Sequence, residues 1–331
     1  MPKVAVITRT RDRPVMLRRA IKSVHQQTMT DFVHVIINDS GDPAVVDAIV
    51  EEFASIAQGR IKVIHNRVSE GMEAASNKAI KSVDSQYIAI HDDDDTWHPD
   101  FLLKTTERLD ENNMMGVVVT TDRILERVTR SGSIKFIGSE RFNSDIKEIN
   151  LYQLFKINYA TPITFLYRRS VFDKIGYYDE ELKVCGDWDF ALRFAMLWDI
   201  DYIDSPHALA FYHHRPDATG INGNSVFAGR DTHRHFGNLL ANRYLRRDLQ
   251  SGNLGFGYIF NVMRREDALA WEKIGRLDDI IRRVTNIEEM VDSRINPDSI
   301  AHRAKLFTMG LPKRLVGMGK RAVRERLHKD S

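Results

Sequence analysis

Between Tyr87 and Pro99 the chain reads YIAIHDDDDTWHP, a short apolar run that ends in four consecutive carboxylates. Tyr87, Ile88, Ala89 and Ile90 have the length and character of a buried central strand, so the acids stand at its carboxyl end. In an open α/β sheet that end is where ligands bind, because the strand ends and the loops after them form a crevice. Four adjacent carboxylates repel one another, and placing them past a buried strand costs stability unless a cation or hydrogen-bond donors offset the charge. In an extended chain Asp92 and Asp94 share one side and Asp93 and Asp95 the other. Oxygen ligands so placed suit Mg²⁺ or Mn²⁺, which commonly bridge to substrate phosphates. The alternative is a solvated acidic turn in which Asp95 or Thr96 caps a helix beginning near Pro99. A calcium-binding EF-hand does not fit, because its Gly and terminal Glu are missing from the required positions.

Around this stretch strands and helices alternate. Residues 3–8 (KVAVIT) read as a first strand, followed by the polar turn TRTRDR and by Pro14 in the first turn of a helix with Leu17, Ala20, Ile21 and Val24 on one face. Residues 33–37 form a second strand that stops at the turn formers and carboxylates of Asn38-Asp39-Ser40-Gly41-Asp42-Pro43. A helix through Val46 and Ile49, a strand at 61–64 and a helix at 72–83 precede the Tyr87 strand. This order predicts an α/β fold with a parallel, doubly wound sheet and right-handed crossovers. Past the acids the pattern gives a helix at 99–112, a strand at 116–120, a hairpin of 123–128 with 133–137, and a strand at 163–167. A helix at 187–198 with acids in its first turn and a strand at 208–213 follow. From about Arg230 the reading becomes helical with frequent Arg and Asp. The chain therefore divides into a main domain over 1–228 and a helical C-terminal region over 229–331, with residues 220–224 as a mobile loop before the boundary.

With 331 residues, 43% hydrophobic, the chain is long enough for one large domain plus an appendage, and its net charge of +2 does not mark a nucleic-acid binder. The charge is uneven: residues 301–331 hold nine Lys or Arg against Glu325 and Asp330. On a helical wheel Leu311, Leu315, Met318, Ala322 and Leu327 share one broad side, while Lys313, Arg314, Lys320, Arg321 and Arg324 occupy the other. That pattern suits an interfacial helix on anionic lipid, and equally docking on the protein's own core or on a second copy in a homodimer. The single Cys185 excludes an intrachain disulfide, the N-terminus lacks a signal pattern, and no apolar run is long enough to span a bilayer. A cytoplasmic protein is expected, with the inner face of the membrane as its possible station.

Asp39, the cluster Asp92 to Asp95, and Asp187 all fall at strand ends or helix starts, and their order and surroundings resemble the family 2 glycosyltransferases. The pieces are VAVITRTRDRPVMLRRAIKSVHQQT, VIINDSGD, EGMEAASNKAI, the acidic cluster as a D-x-D-D with an aromatic and Pro after it, and FLYRRSVFDKIGYYDEELKVCGDWDFALRF. Together they cover about two-thirds of the chain. The resemblance implies a GT-A fold, a Rossmann-like mostly parallel mixed sheet flanked by helices with a C-terminal helical appendage. It also implies an inverting, sugar-nucleotide-dependent transferase using Mn²⁺ or Mg²⁺ in bacterial-type surface polysaccharide synthesis. By resemblance, Thr8, Arg9 and Arg11 approach the nucleobase, Asp39 binds base or ribose, Asn77 and Asp93 join the donor contacts, Asp92 meets ribose or a metal-bound water, Asp94 holds the metal, and Asp187 is the catalytic base. The donor base is expected to be uracil, and the acceptor a glycan or a lipid-linked chain. Two departures matter: Gly186 stands where the family usually has Glu, and Asp93 fills the variable position, which leaves the metal register open by one residue.

The chemistry agrees with the resemblance. Transfer from a nucleotide diphosphate sugar expels a diphosphate whose charge needs a cation, and an acceptor hydroxyl needs a base to take its proton. Asp187 opens a helix, whose dipole favours the ionised form; the alternative is a plain N-cap acid. His213 and His214 are candidates for further metal ligands or diphosphate contacts, against unremarkable surface. Trp97 and Trp188 are packing residues first, with stacking on an acceptor sugar as the alternative. Two other function classes compete. A metal-dependent nucleotidyltransferase would be expected to carry a Gly-rich phosphate loop after the first strand, and residues 8–14 contain no Gly. A non-catalytic calcium-dependent binding module would not depend on Asp187.

Overall fold

The computed structural model describes residues 1–252 apart from 130–132, 145, 156, 219 and 225–228, and a subset of positions between 255 and 287. The basic segment from Leu311 lies outside the described residues. Strands and helices alternate through the first half: β1 Val4–Thr10, α1 Pro14–His25, β2 Phe32–Asp39, α2 Pro43–Glu52, α3 Ala54–Ala57, β3 Ile61–Asn66, α4 Met72–Lys81 and β4 Tyr87–Ile90. Then come β5 Thr96–Trp97, α5 Phe101–Asp110, β6 Gly116–Val119, β7 Thr121–Val128, β8 Ile134–Arg141, α6 Leu151–Leu154 and β9 Phe165–Arg168. The chain continues through α7 Phe172–Ile175, α8 Gly186–Ala195, β10 Asp201–Ile203, β11 Ala210–His214 and α9 Arg230–Ser251.

Seven strands form the main sheet in the order β10-β6-β9-β4-β1-β2-β3. β1, β2, β3 and β4 pair in parallel, as alternation with helices requires, whereas β9 inserts antiparallel to both β4 and β6. Every residue of β4 and β6 is buried, which explains why both read as unbroken apolar runs. α1 begins with Pro14 at its first turn and buries Leu17, Ala20, Ile21 and Val24, the face expected from spacing. Leu17 and Ile21 join Ile36, Val46 and Ile49 in a core cluster on that side of the sheet.

A second sheet, β5-β11-β7-β8, carries the hairpin β7/β8, with a bulge between Leu125 and Glu126. The two-residue strand β5 follows the acids directly and pairs antiparallel with β11, so it pins the far end of the acidic turn to the strand carrying His213 and His214. Two compact units divide the chain, Met1–Phe260 and Asn261–Ser331, so α9 belongs to the first, beyond the division expected at 228/229. Among the described residues no helix is long and apolar enough to cross a membrane.

Candidate active site

The parallel strands β1, β2 and β4 all end at one edge of the sheet, and there a cavity of about 1010 Å³ opens. Its wall gathers Arg9, Arg11 and Arg13 from the end of β1 and the turn after it, Asp39 from β2 and Asp92 to Asp95 from the turn after β4. Glu73 of α4, Asp187 of α8, Tyr212 of β11, and Asn224 complete it. Strand-end loops in a parallel sheet converge in this way, which is why Asp39 and the Asp92 to Asp95 run line one cavity.

The acidic run is not extended. Asp95 N–H donates to Asp92 O at 3.2 Å, so the chain turns at Asp93 and Asp94, and the two-sided alternation expected of a strand is lost. Asp93, Asp94 and Asp95 are buried, while Asp92 is half-buried. Their charge is offset by donors from other elements. Arg9 pairs with Asp92. Arg13 donates to Asp93 at 2.6 Å and to Asp94 at 2.9 Å, and Thr10 Oγ1 donates to Asp93 at 2.8 Å. Arg215, fully buried, bridges Asp94 to Glu126, and Asn224 Nδ2 donates to Asp94 at 3.1 Å. Asp95 accepts the His213 backbone N–H at 2.8 Å. Burial pushes Asp93 up to about 7 against the pull of Arg13. Burial acts on Asp94 in the same direction, yet Arg13 and Arg215 together hold it below the usual carboxylate range.

At the β2 end, Asp39 accepts from Asn66 Nδ2 at 2.9 Å, Ser69 Oγ at 2.7 Å, and the backbone N–H groups of Glu70 and Gly71 at 2.8 and 3.1 Å. Burial works against its charge, but these donors win and lower its pKa. Asp187 sits in the first turn of α8 and accepts from Asn158 Nδ2 at 2.8 Å. Its pKa is raised: burial dominates, the Asp92 charge adds to it, and the backbone N–H of Trp188 opposes it. The helix-start placement is as expected, while the expected net preference for the ionised form is reversed because desolvation outweighs the helix end.

Of the residues expected from sequence, Arg9, Arg11, Asp39, Asp92, Asp93, Asp94 and Asp187 line the cavity. Others do not. Thr8 is fully buried and bonds His34 Nε2 at 2.8 Å. Asn77 is spent on structure, donating to Tyr178 O and Glu180 and accepting from Tyr178 N–H. Trp97 stacks on Phe101 with ring centroids 4.1 Å apart and donates to Ile163 O, a core residue and not an acceptor platform. Trp188 donates its indole N–H to Leu154 O and is not part of the cavity wall. His213 is corrected as a metal ligand: its ring nitrogens are engaged by Glu126 and Thr96, both at 2.8 Å. His214 packs edge-on against Tyr212 and lies off the cavity wall. Among the described residues no group of three or more His, Cys, Asp or Glu is arranged to hold a metal.

Asp92 and Asp94 each keep a carboxylate oxygen for a cation, and Asp95, which accepts through Oδ1 alone among the described hydrogen bonds, keeps one as well. Asp92 meets Arg9 through Oδ1, and Asp94 meets its partners through Oδ2, so among the described hydrogen bonds the other oxygen of each accepts none. Two carboxylates are a hard oxygen donor set that fits Mg²⁺ or Mn²⁺ once phosphate oxygens and water complete the shell. Sequence reasoning missed Arg13, Arg215, Glu73, Glu126, Asn158 and Asn224. For Arg13 a signal existed: a glycine-free turn dense in arginine is the charge complement of a run of four acids.

Residues 4–176 match the model of glycosyl transferase family 2. Over 101 residues the chain is 39% identical to the succinoglycan biosynthesis protein ExoW of Rhizobium meliloti, an alignment covering 29% of this chain and 30% of ExoW. Among solved structures it is similar to residues 1–349 of S. aureus TarS in complex with UDP-GlcNAc, at TM-score 0.56 and 18% identity, covering 80% of this chain and 71% of that one. It is also similar to the mannosyltransferase PcManGT of Pyrobaculum calidifontis in complex with GDP-Man and Mn²⁺, at TM-score 0.54 and 13% identity, covering 89% and 81%. At these identities the two structures speak for the fold: a mixed α/β sheet flanked by helices, of the GT-A type.

Proposed function

The chain belongs to glycosyl transferase family 2, and from that premise we propose that it is an inverting enzyme moving a sugar from a nucleotide diphosphate sugar to a hydroxyl of a glycan or lipid-linked acceptor. The observation that carries this is one cavity whose wall holds Asp92, Asp94, Arg9, Arg11, Arg13 and Asp187 together. The PcManGT complex with Mn²⁺ supports a divalent cation, which Asp92 and Asp94 would hold and which would supply charge neutralisation for the leaving diphosphate. Arg13 and Arg215 add fixed positive charge beside the same carboxylates. Asp187 takes the proton of the acceptor hydroxyl as its oxygen attacks the anomeric carbon and the bond to the diphosphate breaks, a single displacement that inverts the centre. Its raised pKa suits this role, because a base nearer neutrality accepts the proton more readily. A UDP-sugar donor is supported by the TarS complex, and polysaccharide as the product class by ExoW. The basic segment from Leu311 would hold the enzyme at an anionic membrane face where a lipid-linked acceptor resides.

A thermal-shift series with sugar nucleotides, with and without Mn²⁺, tests the reading, since a bound ligand raises stability by mass action. A UDP-sugar with Mn²⁺ is expected to raise Tm, and Asp94→Asn to lose the Mn²⁺-dependent part far more than Asp93→Asn. If no sugar nucleotide shifts the transition, the transferase reading fails.

A further inference from the structure

Gly186 opens α8 immediately before Asp187. Its φ is not positive, so the backbone would accept any side chain. What stands in its way is the Glu73 side chain: a Cβ built on Gly186 would meet Glu73 Cδ at 2.5 Å and Cγ at 2.7 Å, so the Glu73 carboxyl would have to move to admit one. The carboxyl of Glu73, reaching across from the first turn of α4, thus occupies the space that a side chain at residue 186 would fill.

Glu73 is 4% exposed and lines the cavity. Its Oε2 is buried without a hydrogen-bond partner among the described residues, the nearest cation being Arg9 Nη1 at 3.8 Å. A buried carboxyl oxygen left unpartnered at the wall of a cavity costs stability that a purely structural residue would be expected to avoid. Its pKa is raised to about 8, by burial first and by the neighbouring Asp187 and Asp92 charges, with Arg9 opposing. Glu73 therefore holds its proton at neutral pH and presents both a donor and an acceptor, the complement of a hydroxyl group.

We propose that Glu73, whose carboxyl stands from α4 in the space beside Gly186, binds a sugar hydroxyl next to Asp187. The proposal rests on the transferase reading above and deepens it. The hydroxyl belongs to the acceptor or to the donor's sugar, and kinetics separate the two. An acceptor contact raises the acceptor KM when lost; a donor contact weakens the sugar nucleotide while leaving the free nucleoside diphosphate unaffected.

The test exploits the reciprocity of the two positions. Glu73→Ala is expected to cut kcat/KM by at least about 10-fold, with UDP affinity within about 2-fold of wild type. Gly186→Glu alone is expected to lose activity, because the new side chain and Glu73 compete for one space. The double variant Glu73→Ala/Gly186→Glu is expected to recover most of the loss, since a carboxyl returns to the same place from the other helix. Thermal melts of all three separate folding from function. A folded Glu73→Ala with wild-type kinetics overturns the proposal, and so does a folded double variant no more active than Glu73→Ala. If Glu73→Ala does not fold, recovery of both fold and activity in the double variant supports the proposal, whereas recovery of fold alone overturns it. A wild-type chain inert toward every sugar nucleotide overturns the transferase reading and this proposal with it.

Discussion

Asp39 and Glu73 are both buried acids on the wall of one cavity, 8% and 4% exposed, yet their surroundings push them in opposite directions. Asp39 accepts four hydrogen bonds, two from side chains and two from backbone N–H groups of the segment 69–71, and stays ionised. Among the described residues Glu73 has one oxygen without a hydrogen-bond partner and its nearest cation at 3.8 Å, with the Asp92 and Asp187 charges nearby, and it holds its proton. Burial alone does not decide the charge of an acid; the number of donors aimed at it does. The β2 end of the cavity is consequently an anionic corner saturated with donors, and the α4/α8 corner keeps an unsatisfied oxygen, the place where the proposed sugar hydroxyl would bind.

The largest effect that would test this contrast belongs to Asp187. Asp187→Asn should reduce kcat by at least about 10²-fold while leaving nucleotide binding near wild type, because a proton acceptor acts in the transition state and not in the ground state. As burial raises its pKa, the acid limb of the wild-type pH–rate profile should fall above the ordinary carboxylate range. A near-normal kcat, or a limb at or below that range, would remove Asp187 from its role.

A smaller loss is expected on the finished side. Asp39→Ala strips the acceptor from Asn66 and from the Glu70 and Gly71 backbone, so chemical denaturation should show a cost of about 1–3 kcal/mol. The folded pKa of Asp39 is lowered, so its contribution is present above the unfolded pKa and disappears as the pH falls through the folded one; the alanine variant should lack that acid-side decline. Unchanged stability would mean that the 69–71 segment does not depend on the carboxylate.

The smallest effect has the opposite sign. Glu73 has a folded pKa of about 8, raised above its unfolded value, so the folded state binds the extra proton and stability declines as the pH rises between those values. Wild type should lose about 1 kcal/mol from this group between pH 7 and 8, and Glu73→Gln should not. Parallel stability curves for the two proteins over that interval would show that Glu73 is already ionised and break the contrast with Asp39.

Much of the fold was legible because buried strands and amphipathic helices write their periods into the chain. The apolar run of β4, the Leu17-Ala20-Ile21-Val24 face of α1 and the turn after β2 all depend on neighbours a few residues away. So did the placing of Asp39, Asp92, Asp94 and Asp187, since acids at strand ends and helix starts are local patterns that a parallel sheet turns toward one edge. An acidic turn stood as the alternative for the run at Asp92 to Asp95, but its burial was hidden, because that depends on pairing β5 with β11, more than a hundred residues later.

The sequence by itself determined an α/β sheet, its order of strands through β4, and the edge at which carboxylates would gather. Only the tertiary structure decided which side chains are free to act. It turned Thr8, Asn77 and Trp97 inward, engaged His213 with Glu126 and Thr96, and brought Arg13, Arg215 and Asn224 onto the acids. It also set Glu73 into the space beside Gly186. The physical reason is range: backbone periodicity comes from steric and hydrogen-bonding rules that act within a few residues, whereas the charge and reach of a buried polar group depend on partners that folding delivers from anywhere in the chain.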